Sequence, residues 1–169
     1  KMVYAPLNSA GNVPSMVATK RSKEFVQIVG KSANVVSGKA VEKPVKRLKL
    51  PKACQTISCG QKLAESLSAR FVLFTKLSNE DDTYTVTLKL YDATANGFVS
   101  ESKKNCEFCA AREVKGTFGQ AWKEVLPFLS KPPAKKKVQT AGPTMLSILT
   151  IPPGATLVLD GKTLEKKSP

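Results

Sequence analysis

The stretch from Phe71 to Asn105 constrains the fold more tightly than any other part of the chain. Phe71 to Leu77 is a continuous apolar run of strand length, the pattern of a strand buried on both faces. Asn79-Glu80-Asp81-Asp82 reads as a hairpin turn. From Thr83 to Tyr91 the residues alternate, with Tyr84, Val86, Leu88 and Leu90 on one face and Thr85, Thr87 and Lys89 on the other. A period of two belongs to an antiparallel strand with one face in a core. Asp92 to Gly97 turns the chain again, and Phe98 to Asn105 forms a third, more polar strand, an edge suited to strand addition. A meander of this kind needs an apolar layer against its buried face.

The flanking segments supply that layer. Val114, Phe118, Ala121, Trp122, Val125 and Leu129 recur at helical spacing until Pro127 and Pro132 end the helix. A second helix opens at Val13-Pro14-Ser15 and stops at Gly30. It sets Val13, Val17, Phe25, Ile28 and Val29 inward and Lys20, Arg21, Lys23 and Glu24 toward solvent. A third, shorter helix carries Leu63, Ala64 and Leu67. Met2 to Leu7 reads as a strand, Asn8 to Asn12 as a turn, and Asn34-Val35-Val36 as a brief strand. Residues 39–52, with Pro44 and Pro51 among many bases, read as an exposed connection. The order is β-α-β-α-β-β-β-α. That is an α+β fold, a mixed or antiparallel sheet packed with about three helices.

Charge narrows the function. The 169 residues hold 27 Lys and Arg against 13 Asp and Glu, a formal charge of +14, and no histidine. Without histidine there is no Ser-His or Cys-His nucleophile and no His-ligated metal. No apolar run approaches the roughly 18 residues that span a bilayer. Much of the charge sits in two connectors. One holds Lys39, Lys43, Lys46, Arg47, Lys49 and Lys52 against Glu42; the other holds Lys131 and Lys135, Lys136 and Lys137 beside Pro132 and Pro133. Exposed basic tethers suit an anionic membrane surface, so these residues (apart from Lys131) are the expected contacts with one. The alternative is a nucleic-acid-binding domain using 39–52, but the chain has only Arg21, Arg47, Arg70 and Arg112 for bidentate base reading. Nucleic acid is therefore the less expected partner.

Cys54, Cys59, Cys106 and Cys109 are spaced C-x4-C and C-x2-C. In an oxidising compartment they are a disulfide framework, with the local pairs Cys54–Cys59 and Cys106–Cys109 favoured because each can bridge by itself. In a reducing one, two short-spaced pairs match the knuckles of a Cys₄ zinc site. A redox Cys-x-x-Cys at the start of a helix is the third reading, though a thioredoxin-like site would follow a βαβ unit rather than a meander. Other groupings read as structural: Glu80-Asp81-Asp82 as an acidic turn, Trp122 as core, and Gly116-x-x-Gly119 as a weak packing signal.

Two stretches resemble known families. Residues 146–161, Leu-Ser-Ile-Leu-Thr-Ile-Pro-Pro-Gly-Ala-Thr-Leu-Val-Leu-Asp-Gly, resemble the opening of a PEGA domain, with Pro152-Pro153-Gly154-Ala155 at the signature turn and proline replacing its usual glutamate. Residues 1–130 resemble the amino-terminal domain of TolB- and FlgO-like bacterial envelope proteins. The likeness rests on the strand leading to a helix near Val13-Pro14, on Leu67-Ser68-Ala69 feeding a strand, and on Tyr84 to Asp92 followed by Asn96-Gly97-Phe98-Val99. The cysteine pair before the helix of Leu63 and the Cys-x-x-Cys after the meander belong to the same pattern; the basic 39–52 segment has no counterpart in it. The resemblance implies a non-enzymatic binding or scaffolding module without cofactor, in a periplasmic or extracytoplasmic protein with a lipoprotein or membrane-anchored parent. It implies an envelope protein or glycan as partner. The expected domains are 1–130, a basic linker at 131–143 and an incomplete PEGA-like segment at 144–169, whose unpaired strand would drive homo-oligomer formation. The abrupt ends, Lys1-Met2-Val3 and Lys167-Ser168-Pro169, lead us to expect a piece of a longer protein.

Overall fold

The computed structural model describes residues 1–51 and 54–130, together with the backbone pairing of two short strands further on. The chain divides into two compact units, Lys1–Lys136 and Lys137–Pro169. In the second, Val158–Leu159 pairs antiparallel with Lys162–Thr163. Lys52, the linker bases Lys135, Lys136 and Lys137, and the rest of the PEGA-like stretch lie outside the described residues.

The first unit is built on a mixed six-stranded sheet: β1 (Met2–Tyr4), β2 (Asn8–Gly11), β3 (Val35–Val36), β4 (Phe71–Glu80), β5 (Thr83–Asp92) and β6 (Gly97–Glu107). The order is β3-β1-β4-β5-β6, with β2 also on β4. The meander forms as its pattern dictates, β4, β5 and β6 running antiparallel, with Asp81 and Asp82 at positive φ in a two-residue turn between β4 and β5. On the other side β4 takes β1 and β2 in parallel. Parallel strands require crossovers, and four helices make them or close over the sheet: α1 (Ser15–Gly30), α2 (Lys39–Arg47), α3 (Ile57–Ser66) and α4 (Val114–Val125), the last followed by a 3₁₀ turn at Leu126–Leu129. The fold is α+β.

Strand alternation divides the core into two layers. Tyr4, Leu73, Val86, Leu88 and Leu90 point to one face and pack with Phe25 of α1 and with Val114, Phe118 and Trp122 of α4. The Phe25 ring lies 4.8 Å from Phe118 and 5.8 Å from Tyr4 between centroids. Val3, Ala5, Val72, Phe74 and Tyr91 point to the other face, against Val41 of α2 and Cys59, Leu63 and Ala64 of α3. Each fully buried Val, Leu or Phe here contributes about 1.5–3 kcal/mol over exposure. A β-bulge near Leu90 and Tyr91 sets Phe98 opposite Tyr91, so Phe98 joins Phe74 and Tyr91 on the second face.

The structure corrects the sequence reading in four places. The strand from Met2 stops at Tyr4, and residues 8–11 are not a turn but β2, held by register with Lys76 to Asn79 rather than by intrinsic propensity. Residues 39–47 are not an exposed connection but a helix, because Val41 is buried and Val45 packs beside it one turn on. Pro44 is tolerated inside α2 even though its ring nitrogen has no proton to donate. Arg21 is buried, not solvated: the inward stripe of α1 is Ala18, Arg21, Phe25 and Val29. Its guanidinium pairs with Glu24, while its Nε has no partner among the described residues.

Candidate functional site

The sheet has a notch at one margin. β1 and β2 both lie along β4, at 71–73 and 76–79, with a kink at Ala5-Pro6-Leu7 between them. On the far side of β1, β3 reaches only as far as Val36, which pairs with Val3. Among the described residues no strand lies on the outer edge of β2. A cleft of about 690 Å³ opens there.

Its walls come from both helical layers, so it lies in the plane of the sheet at its margin. Tyr4, Leu7 and Ser9 supply the strand side; Ala18, Ser22, Lys23 and Val26 line it from α1; Ser37, Gly38, Val41 and Glu42 line it from the start of α2. This is the region outside the carboxyl ends of β1 and β3, near where the strand order reverses, a common location for binding sites in sheets of this kind. The Tyr4 hydroxyl lies 3.3 Å from Ser22 Oγ. Burial raises the Tyr4 pKa, and the opposing effects of the Ser22 and Thr75 hydroxyls do not cancel it. At neutral pH Tyr4 is therefore a phenol that can donate or accept a hydrogen bond, not a base. The cleft combines hydroxyls, apolar patches and one charge of each sign, a lining that can hold and orient a ligand.

The sequence-predicted site residues lie elsewhere. Cys54 pairs with Cys59, with Cα atoms 6.2 Å apart, and Cys106 with Cys109, at 5.6 Å. The first pair spans the cap of α3, where Thr56 Oγ1 accepts from Cys59 N at 3.3 Å. Cys59 packs in the α2–α3 layer and Cys106 and Cys109 against the α1–α4 layer, so the pairs occupy opposite faces of the sheet. Among the described residues no cluster of His, Cys, Asp or Glu could hold a metal ion. Lys39, Lys43, Lys46 and Arg47 form an exposed basic face on α2, followed by exposed Lys49; Arg47 donates to Ser66 Oγ at 2.9 Å. They sit on a packed helix rather than a loose tether.

Sequence reasoning did not find the cleft. Tyr4 falls within the strand expected from Met2 to Leu7, Val26 lies off the stripe expected for the first helix, and the one clue to the α2 wall is Val41 and Val45 at i and i+4, obscured by Pro44.

What the fold and cleft define is a small α+β domain with an open groove at the margin of its sheet. No protein-family model matches the chain, and no curated protein matches it. Among solved structures it is similar to the C-terminal domain of LpoB from Salmonella enterica, at a TM-score of 0.50 and 17% identity over 63% of this chain and 81% of that one. It is also similar to the lipoprotein GNA1162 from Neisseria meningitidis, at 0.51 and 11% identity over 77% of this chain and 96% of that one. An overlay on TolB from Acinetobacter baumannii, at 0.47 and 13% identity over 74% of this chain and 27% of that one, is too loose to bear on function. These likenesses establish a shared fold. No helix among the described residues is long and apolar enough to cross a membrane.

Proposed function

We propose that the chain is a non-enzymatic binding or scaffolding module of a bacterial cell-envelope protein, acting outside the cytoplasm. The observation that carries this reading is the in-plane cleft beside β2, a groove of hydroxyls and apolar side chains able to hold a ligand. Two cysteine pairs at bridging distance support an oxidising compartment. The fold shared with a lipoprotein supports the envelope. In this reading residues 1–130 are the TolB/FlgO-like domain, 131–143 a basic linker and 144–169 the start of a PEGA domain that self-associates. The partner is an envelope protein or a glycan. The exposed bases of α2, with Lys52, Lys135, Lys136 and Lys137, contact an anionic membrane surface.

Two measurements test this reading. Intact mass of protein exported to a periplasm should rise by about four hydrogens on reduction; free thiols with bound zinc would overturn the extracytoplasmic placement. A photo-crosslinking residue in place of Ser9 or Val26, in cells, should capture one envelope component that the same group at Thr85 or Thr87 does not. Equal capture from both positions, or none from the cleft, would overturn the binding role of the groove.

A further inference from the structure

Resting on the cleft as a binding groove, we infer that its occupant is an extended, net acidic segment of a partner protein that joins the sheet as a strand beside β2. The position is shaped for a strand. β2 uses one edge on β4, at Asn8 to Gly11, and β3 stops at Val36 before it could cover the other. α1 and the first turn of α2 close over the two faces of that place, as helices do over a sheet interior. A strand there would turn alternate side chains toward Val26 on the α1 wall and toward Gly38 and Glu42 on the α2 wall, where Val41 itself is buried in the core. Main-chain hydrogen bonds to β2 would give affinity and the Val26 contact specificity.

Charge selects the segment. Lys23 lines the cleft from α1, and Lys39 and Lys43 stand exposed on α2 next to its Gly38 and Glu42 walls. The chain as a whole carries +14, which draws an acidic segment toward the groove. Glu42 alone opposes it among the lining residues. The β6 margin, which its polar sequence also offers for strand addition, is less suited because it carries Glu101, Lys103, Lys104 and Glu107, mixed charges that discourage edge pairing.

The test selects binders to the full chain from a library of random short linear peptides. Enriched peptides should be acidic and alternate apolar residues, and they should lose at least about tenfold in affinity on three changes. These are Val26→Trp in the protein, which fills the cleft, reversal of the peptide's acids to lysine, and N-methylation of alternate peptide residues, which removes main-chain donors and leaves side chains intact. Glu42→Gln should tighten binding. Peptides that lose affinity with Val26→Trp but not with N-methylation would overturn strand addition while leaving the groove a binding site. Enrichment of nothing, or of peptides indifferent to Val26→Trp, would overturn both. Circular dichroism of Val26→Trp identical to the parent excludes unfolding as the cause.

Discussion

Gly60 and Gly119 are both helical glycines, and the space around them predicts opposite outcomes for the same substitution. A Cβ at Gly60 would stand 2.6 Å from the Tyr91 ring, whose residue is fully buried and whose hydroxyl donates to Asn96 Oδ1 at 2.9 Å. α3 can approach the sheet only because this side chain is absent. Gly60→Ala should cost about 1–3 kcal/mol in urea unfolding through overpacking. Nothing lies within 4 Å of a Cβ at Gly119, in the interior of α4, so the Gly116-x-x-Gly119 spacing serves no close contact. Gly119→Ala should stabilise by about 0.5–1 kcal/mol in the same assay. Asp92 supplies a pH signal. Burial would raise its carboxyl, but hydrogen bonds from Arg70, at 2.9 and 3.2 Å, and from the Thr94 hydroxyl and N–H outweigh it and hold the pKa below the usual carboxylate range. Such a group stabilises the fold above its unfolded pKa of about 3.9, and that stability is lost as pH falls through the lower folded value. Asp92→Asn should be less stable at pH 7 and lose less of its melting temperature between pH 5 and pH 2.5. Arg21 shows why residue-scale reading failed on α1. Ala18 is too small to mark a stripe, so a stripe drawn through Val13, Val17, Phe25, Ile28 and Val29 finds Phe25 and Val29 but leaves the buried Arg21 on the solvent side.

At the scale of elements, legibility followed the source of the ordering. β4 and β5 carry their burial in their own alternation, and α4 in its stripe, so these were readable from Phe71 onward. β2 has the sequence Asn-Ser-Ala-Gly and is a strand only because β4 continues past Thr75 beside it. No window of sequence around residues 8–11 contains that information. Likewise α2 hid behind Pro44 and its lysines, and its reason to exist is one buried side chain on the α2–α3 face. Val41→Ala should therefore cost about 2 kcal/mol by differential scanning calorimetry, from lost methyl burial and the cavity left behind. The same change at neighbouring exposed Lys43 should be close to neutral. The cleft was illegible for the same reason: it is made by where β3 ends relative to β2, a long-range fact.

For the molecule as a whole, the basic residues take on a defined shape. Lys39, Lys43, Lys46, Arg47 and Lys49 are held on or just after a helix packed to the sheet, so their charge is presented from a fixed surface. The protein should co-sediment with phosphatidylglycerol vesicles at low salt and be released as ionic strength approaches about 0.5 M, where the Debye length falls to a few ångströms. Replacing Lys39, Lys43 and Lys46 by Glu should remove most of the binding while leaving the fold intact; undiminished binding would place the contact elsewhere.

The position of β1 in the sheet has a consequence for biogenesis. Met2–Tyr4 is nearly the first segment of this sequence, yet its longer ladder is with residues 71–73, about seventy positions downstream. Its nearer partner offers only Val35 and Val36. A chain emerging amino end first would thus carry a strand unable to settle until β4 had followed it. Late closure of this kind makes the parallel half of the sheet depend on a long-range step, so it should form more slowly than the local β4–β5–β6 meander.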